Sequence, residues 1–385
     1  MPSSWEKRKG APTADSIEHL RRPQTIRERA QAIYDSTPGH FDVRLDRLPE
    51  VVEQVESVTR KNYPSGDVPI HGRFRHFGDR LQELEPKLSQ LGREDQARTL
   101  IDLVVVSVLL DAGAGPDWRY QEAATGQTLS RSEGLAVASF RMFEAGLFSE
   151  GRAPEVTADG LRAIDDSALA DAFQVSASNP LVGVDGRAKL MRDLGAALEA
   201  YPEYFGTPAR PGNLIDHVEP NAVAILSAVL DGLSSIWPSR LTLDGVNLGD
   251  VWRHPAAGLV PFHKLSQWLT YSLVEPFAVA GTPVDGVDQL TGLAEYRNGG
   301  LFVDTGVLEP KHADVTRKAH TADSEIIVEW RALTIVLLDH VAEALGRPLA
   351  EVLEGGTWQA GRIAAREKRN DGSPPIQVLS DGTLF

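Results

Sequence analysis

The sequence predicts a mainly α-helical, multi-helix globular fold, and three observations carry that expectation. Apolar residues recur at three- and four-residue spacing in stretch after stretch, the longest apolar segments have the length of helices, and strand signals are scarce, Leu241-Thr-Leu243 being the best short candidate. No clean linker or fixed-period repeat interrupts the pattern, so a single catalytic domain is expected over residues 15–368, with room for two packed lobes. The polar, basic residues 1–14 read as a flexible arm, and the Gly/Pro-rich residues 369–385 as a C-terminal tail held by few contacts.

The chain has 385 residues, enough for a large core, and its 42% hydrophobic and 24% charged fractions are those of a water-soluble globular protein. No apolar run is long enough to cross a membrane, and the start lacks a secretory h-region, so a cytoplasmic location is expected. With no cysteine, disulfides, thiolate metal sites and a thiol nucleophile are excluded. A formal charge of −15 repels a phosphate backbone, so nucleic acid is not an expected partner; a small phosphorylated ligand needs only a few placed bases.

In chain order, helices are expected from about residue 15 through Tyr34 and over 45–60, with Val51, Val52, Val55 and Val58 as the apolar stripe of the second. The loop 63–77 then gathers His71, Arg73, Arg75 and His76 between aromatics. It reads either as a solvated basic loop or as an anion clamp before a helix. Residues 93–113 contain the stretch Leu100–Gly113, apolar on nearly every side, which reads as a buried central helix or, from its β-branched run, as a buried strand; its length and the preceding Glu94-Asp-Gln-Ala-Arg98 favour the helix. A Gly/Pro-forced loop follows, carrying Asp111, Asp117, Trp118, Arg119 and Tyr120, where Trp118 is either a core anchor or a ligand contact. Ser130-Arg-Ser-Glu133 has the form of a capping box opening a helix through Phe148. Further helices are expected over 158–173, 187–201 and 220–236.

The chemistry-bearing residues concentrate towards the C-terminal half. In a helix over 260–274, His263, Ser266, Gln267 and Thr270 share one face and Lys264, Trp268 and Tyr271 the adjoining one. A polar stripe on so apolar a helix either faces solvent or lines a cavity. In Leu290-Thr-Gly-Leu-Ala-Glu-Tyr-Arg-Asn-Gly-Gly-Leu-Phe-Val-Asp304, a short helix is expected up to Arg297, stopped by Gly299 and Gly300, which would let backbone approach a ligand. Glu295, Arg297 and Asp304 stand there among residues that otherwise read as core. The most secure helix spans 324–345, with Asp323 or Ser324 as cap and Gly346 at its end. Glu325 and Glu329 lie one turn apart on it and need water or partners. No dinucleotide fingerprint, phosphate loop, His-Glu-x-x-His or Gly-x-Ser-x-Gly motif occurs, the histidine spacing matches no usual metal set, and no cofactor or metal is expected.

Ile101-Asp-Leu-Val-Val-Val-Ser-Val-Leu-Leu-Asp-Ala-Gly-Ala-Gly115 and Glu295-Tyr-Arg-Asn-Gly-Gly-Leu-Phe-Val-Asp-Thr-Gly-Val307 resemble the uracil-catabolism family called Urc or Urg, and the similarity covers most of the chain. That resemblance implies membership of a pathway that degrades uracil or its nucleotide through a ring-opened ribosylurea. Phe262-His-Lys-Leu-Ser-Gln267, Leu290-Thr-Gly-Leu-Ala-Glu-Tyr-Arg297 and Glu325-Ile-Ile-Val-Glu-Trp-Arg-Ala332 are similar to segments of the queuosine-nucleoside glycosylases, helical proteins distantly like DNA glycosylases. The matching positions are Lys264, Gln267, Glu295, Tyr296, Arg297, Glu329 and Arg331. Glu295 stands where those enzymes carry Asp, and Gly-Gly replaces their Val-Pro-Gln turn, so a different substrate is implied.

Together these readings predict an N-glycosidic hydrolase that splits ribosylurea or its phosphate into urea and the sugar. Cleavage of a ribosyl C–N bond passes through an oxocarbenium-like state that a carboxylate stabilises. Glu295 and Asp304 are the expected catalytic pair. His263, Lys264, Gln267, Trp268, Tyr296, Arg297, Glu329, Asp111 and Trp118 are expected around the substrate, and Arg73, Arg75 and His76 around a phosphate. A non-catalytic protein that binds or senses a nucleoside-derived intermediate is the alternative. A helical interaction scaffold is a third reading, which requires an exposed polar stripe and no enclosed pocket.

Overall fold

A computed structural model describes residues 16–151, 153–237 and 240–379. The arm expected at 1–14 lies outside the described residues. The principal helices are α1 (Pro23–Asp35), α2 (Leu48–Asn62), α3 (Arg93–Leu109), α4 (Arg131–Glu144) and α5 (Val184–Ala200). They are followed by α6 (Ala222–Gly232), α7 (Lys264–Ala280), α8 (Tyr296–Asp304), α9 (Glu325–Leu345) and α10 (Trp358–Lys368). The fold is mainly α, as the helical periodicity predicts. Strands among the described residues form only two-stranded pairs. β1 (Phe41–Val43) runs antiparallel to β4 (Leu308–Pro310), with Phe41 opposite Pro310. β2 (Val251–His254) and β3 (Gly258–Pro261) form a hairpin, and β5 (Ala319–Thr321) pairs in parallel with β6 (Gln377–Leu379).

The central helix α3 is buried without a break from Ile101 to Leu109, which is why its pattern shows no polar face. It packs along α7, whose Trp268, Leu269 and Tyr271 are likewise buried. Helix α9 opens at Ser324, whose Oγ accepts the Ile327 N–H, and closes at Gly346 with φ 61°, a left-handed position natural for glycine.

Three expectations change for local reasons. The helix expected from 260 begins only at Lys264, because Val260 and Pro261 are taken by β3 and His263 turns left-handed, φ 47°. The helix expected over 158–173 is broken into Ala158–Arg162 and Asp166–Ala172, the second restarted by the Asp165 carboxylate accepting the Ala168 N–H at 2.6 Å. Ser130 precedes α4 without a side-chain cap bond, while Glu133 pairs with Arg362 of α10, so tertiary pairing replaces the capping box.

Helices α8 and α10 cross closely at Gly361, where an added Cβ would lie 2.2 Å from the Arg297 carbonyl oxygen. Gly361→Ala must therefore push two elements apart. We expect it to lower stability by about 1–3 kcal/mol in urea unfolding, the usual cost of overpacking; an unchanged midpoint would contradict this packing.

Candidate functional site

Two pieces of chain meet at the floor of a cleft of about 500 Å³. One is the first turn of α7, which carries Lys264 and Trp268. The other is the run into α8. This run was expected to be helical up to Arg297; instead it stays extended through Glu295 and the helix starts at Tyr296. The reason is the Glu295 side chain, which acts as N-cap: its Oε1 accepts the Asn298 N–H at 2.6 Å and its Oε2 the Arg297 N–H at 2.7 Å. Gly299 and Gly300 do not stop this helix but lie inside it. Gly299 is where the Trp330 indole packs, with its Nε1 donating to the Gly299 carbonyl at 3.0 Å, so the close approach is to α9 rather than to a ligand.

Asp111, at the end of the central helix, forms another wall with Arg131 and Ser132 of α4. Trp358 from α10 and His71 and His76 from the loop before α3 add an aromatic side; His76 meets the Trp268 and Trp358 rings edge-on, with centroids at 5.9 and 5.7 Å. The last wall is the C-terminal segment: Asp371, Ser373, Pro374, Ile376 and Val378 all face the cleft. This segment was expected to be a loosely held tail. Arg369 clamps it by a two-pronged pair with Asp304, at 2.7 and 2.5 Å, and Arg297 Nη1 donates to the Gly372 carbonyl at 2.8 Å.

Burial sets the electrostatics. It pushes the Glu295 carboxyl above its usual pKa, against the pull of Lys264 and the two backbone N–H donors. It lowers Lys264, against Glu295 and Asp111, while the Lys264 ammonium lies 5.2 Å from the Trp268 ring centroid. His76 is held well below its usual value by burial and by Arg73, which makes it a neutral ring. Four buried polar atoms in or just behind these walls have no hydrogen-bond partner among the described residues: His76 Nδ1, Trp268 Nε1, Asn298 Oδ1 and Arg73 Nη2. Unpaired polar groups are costly, and such groups beside a cleft are suited to a polar ligand.

Of the residues singled out from sequence, His71, His76, Asp111, Lys264, Trp268, Glu295, Tyr296 and Arg297 line this cleft. The others serve elsewhere. Asp304 is paired with Arg369 and does not share the cleft with Glu295. Gln267 bonds the Phe262 carbonyl and both the Thr291 N–H and hydroxyl, so it pins the chain leading to Glu295. Thr270 donates to the Ser266 carbonyl at 2.9 Å. The stripe therefore faces protein at Gln267 and Thr270 and a small separate cavity at His263 and Ser266, not solvent, and the scaffold reading loses the exposed stripe it requires. Glu329 accepts the N–H groups of Gly39, His40 and Phe41 at 2.7, 2.8 and 3.1 Å and anchors the start of β1. Trp118 is fully buried and donates to the Phe173 carbonyl. Arg73 reaches Asp111, Ser107 and Ser132 from behind the wall, and Arg75 pairs with Glu275, so the basic loop is not gathered as one clamp.

His40, Glu325 and Glu329 bring ligand atoms within 4.8 Å of one another and are the group among the described residues best spaced for a cation. Glu329 Oε1 accepts two backbone N–H groups and Oε2 one, so Glu329 offers little beyond one lone pair on Oε2, and His40 and the exposed Glu325 are the more open donors. Sequence reasoning passed over Trp358, Arg131, Ser132 and the 371–378 strap, because their approach to the cleft is tertiary. Glu354, bonded to His71, carried one local signal, the Gly355-Gly356 pair beside it.

The family described as "Protein of unknown function (DUF1688)" matches residues 19–385. The chain is also similar to "Protein urg3" of Schizosaccharomyces pombe, 38% identical over 97% of this chain and 100% of that protein. It is similar to "Uracil catabolism protein 4" of Lachancea kluyveri, 36% identical over 96% of this chain and 99% of that protein.

His263 lies on a separate cavity of about 40 Å³, room for a few waters rather than a nucleoside, and its Nε2 bonds the Leu20 carbonyl at 3.0 Å. Burial lowers its pKa to about 4, against Asp250 and the Leu20 carbonyl. Below pH 6.5 the unfolded chain takes up this proton while the folded one does not until about pH 4, so stability falls as pH drops through that window. From pH 7 to pH 5 this amounts to about 2 kcal/mol. His263→Asn, which tolerates the left-handed backbone, should remove that share of the pH dependence of the urea midpoint. An identical pH dependence in the two proteins would rule out a neutral, buried His263.

Proposed function

The chain belongs to the DUF1688 family, and from that premise we propose that it acts in uracil catabolism as an N-glycosyl hydrolase, splitting ribosylurea or its phosphate into urea and the sugar. The names of its relatives support the pathway role. One observation carries the reaction: a buried carboxyl with a raised pKa, Glu295, held beside Lys264 and Trp268 at the floor of a cleft large enough for a nucleoside fragment.

Each Glu295 oxygen accepts one backbone N–H and keeps a lone pair for the ligand. As the C–N bond lengthens, positive charge grows on the ribosyl ring, and a carboxylate fixed by two N–H groups stabilises it without reorganising. The same group can take the proton from the attacking water, a transfer favoured by its raised pKa. The Trp268 face supports the sugar or the planar urea, and Lys264 and Asp111 are placed for its polar groups. With Arg73 and Arg75 engaged elsewhere, Arg131 at the cleft wall, whose Nη2 donates to the Asp371 carbonyl at 3.3 Å, is placed to meet a phosphate.

The binding-protein reading keeps one observation in its favour: both Glu295 oxygens are engaged as a structural cap would be. One experiment separates the two. Purified protein is incubated with ribosylurea and with its 5′-phosphate, and urea is assayed. We expect turnover by the wild type and a loss of roughly 100- to 1,000-fold in Glu295→Gln with ligand affinity kept within a few-fold. Tight binding without urea release would replace the hydrolase by a binding protein.

A further inference from the structure

We propose that His71 is the general acid of this cleft and that Glu354 positions it, forming a His–Glu dyad that protonates the leaving urea nitrogen. The inference rests on the hydrolase reading above. His71 lines the cleft, and its Nδ1 lies 2.7 Å from Glu354 Oε2. A carboxylate only accepts, so Nδ1 carries the proton and donates. Nε2 is then the ring nitrogen left for a cleft ligand, and no described residue is bonded to it. Glu354 also stabilises the charge that the ring acquires when Nε2 binds a proton.

The surroundings of Glu354 fix this arrangement from three sides. Between Leu349–Val352 and α10 the helix widens into a π-helical turn, Leu353–Thr357, a distortion that often accompanies functional sites. The turn contains Glu354 and leads directly into Trp358, which lines the same cleft. It is pressed against α2: a Cβ on Gly356 would lie 2.5 Å from the Val55 carbonyl oxygen. Just past the end of α2, the Tyr63 hydroxyl donates to Glu354 Oε1 at 2.9 Å. Burial and the Glu354 charge raise Tyr63 far above its usual pKa, which keeps it a donor. The His71 backbone N–H is held by the Ala350 carbonyl at 3.1 Å, and its ring stacks against Trp268 with centroids 6.3 Å apart.

The ribosyl C1–N bond breaks with its electron pair going to nitrogen, and the His71 Nε2 proton is transferred to that nitrogen, releasing neutral urea. Water adds to C1 and gives its proton to Glu295; that proton returns to His71 through solvent, and both groups are reset.

Leaving-group dependence tests the assignment. Wild type, His71→Gln, Glu354→Gln and Tyr63→Phe are assayed on ribosylurea and on p-nitrophenyl β-D-ribofuranoside, whose leaving group needs no protonation. We expect His71→Gln to lose 100-fold or more in kcat on ribosylurea, together with the alkaline limb of its pH profile, yet to stay within a few-fold of wild type on the nitrophenyl riboside. Glu354→Gln should lose about tenfold on ribosylurea, Tyr63→Phe less, and the His71/Glu354 double variant no more than His71→Gln alone. Ribosylurea turnover by His71→Gln within threefold of wild type overturns the dyad and leaves the hydrolase standing, and so does an equal loss on both substrates. A wild type that cleaves neither substrate overturns the hydrolase reading itself and the dyad with it.

Discussion

The ion pair between Arg331 and Asp250 is the constraint on which the placement of the cleft floor depends. The guanidinium of Arg331 meets both Asp250 oxygens at 2.7 and 2.8 Å and stacks 4.1 Å from the Phe262 ring centroid. Asp250 also accepts the Trp252 indole N–H at 2.7 Å and the Lys264 backbone N–H at 3.0 Å, so one carboxylate ties the hairpin to the start of α7. Arg331 Nε donates to the Ala294 carbonyl at 3.0 Å, which fixes the residue before Glu295. Burial alone would raise Asp250, but the Arg331 charge and the hydrogen bonds from Arg331, Trp252 and the Lys264 N–H together outweigh it and hold the carboxyl far below its usual value. Removing either partner would strand the other as a buried charge, the costly half of such a pair.

Around that pair the chemistry follows from competition between burial and charge. Glu295 and Lys264 each lose solvation in the cleft floor and each partly restores the charged form of the other. Each therefore helps set the proton affinity of the other, an arrangement that suits proton transfer. The engaged carboxylates behave differently: Glu329, in a nest of three N–H groups, and Asp304, gripped by Arg369, hold segments of chain in place.

The helical fold was legible because its signal is local. The mostly apolar run Ile101 to Leu109 could have been a buried strand, and its length and the charged turn before it favoured the helix that forms; Ser324 and Gly346 punctuate α9 where capping chemistry places them. Near the site, local signals misled where tertiary partners outweighed them. The approach to Glu295 has helical composition but stays extended, because Gln267 and Arg331 take its backbone groups at Thr291 and Ala294. Glu295 could be singled out as a charge among core residues; that Asp304 belongs to a different contact could not, since its partner Arg369 lies 65 positions away in sequence. The strap over 371–378 escaped notice for the same reason: polar, Gly/Pro-rich composition describes a wall of a cleft as well as a loose tail.

The N-glycosyl hydrolase proposed above requires ribosylurea to sit in this cleft with its anomeric carbon facing Glu295. A crystal structure of the Glu295→Gln protein soaked with ribosylurea tests that most directly. The ligand is expected against the Trp268 ring, with C1 about 3–4 Å from the residue 295 side chain, a separation from which reaction can proceed. Ligand bound outside the cleft, or inside it with C1 turned away from residue 295, would contradict it.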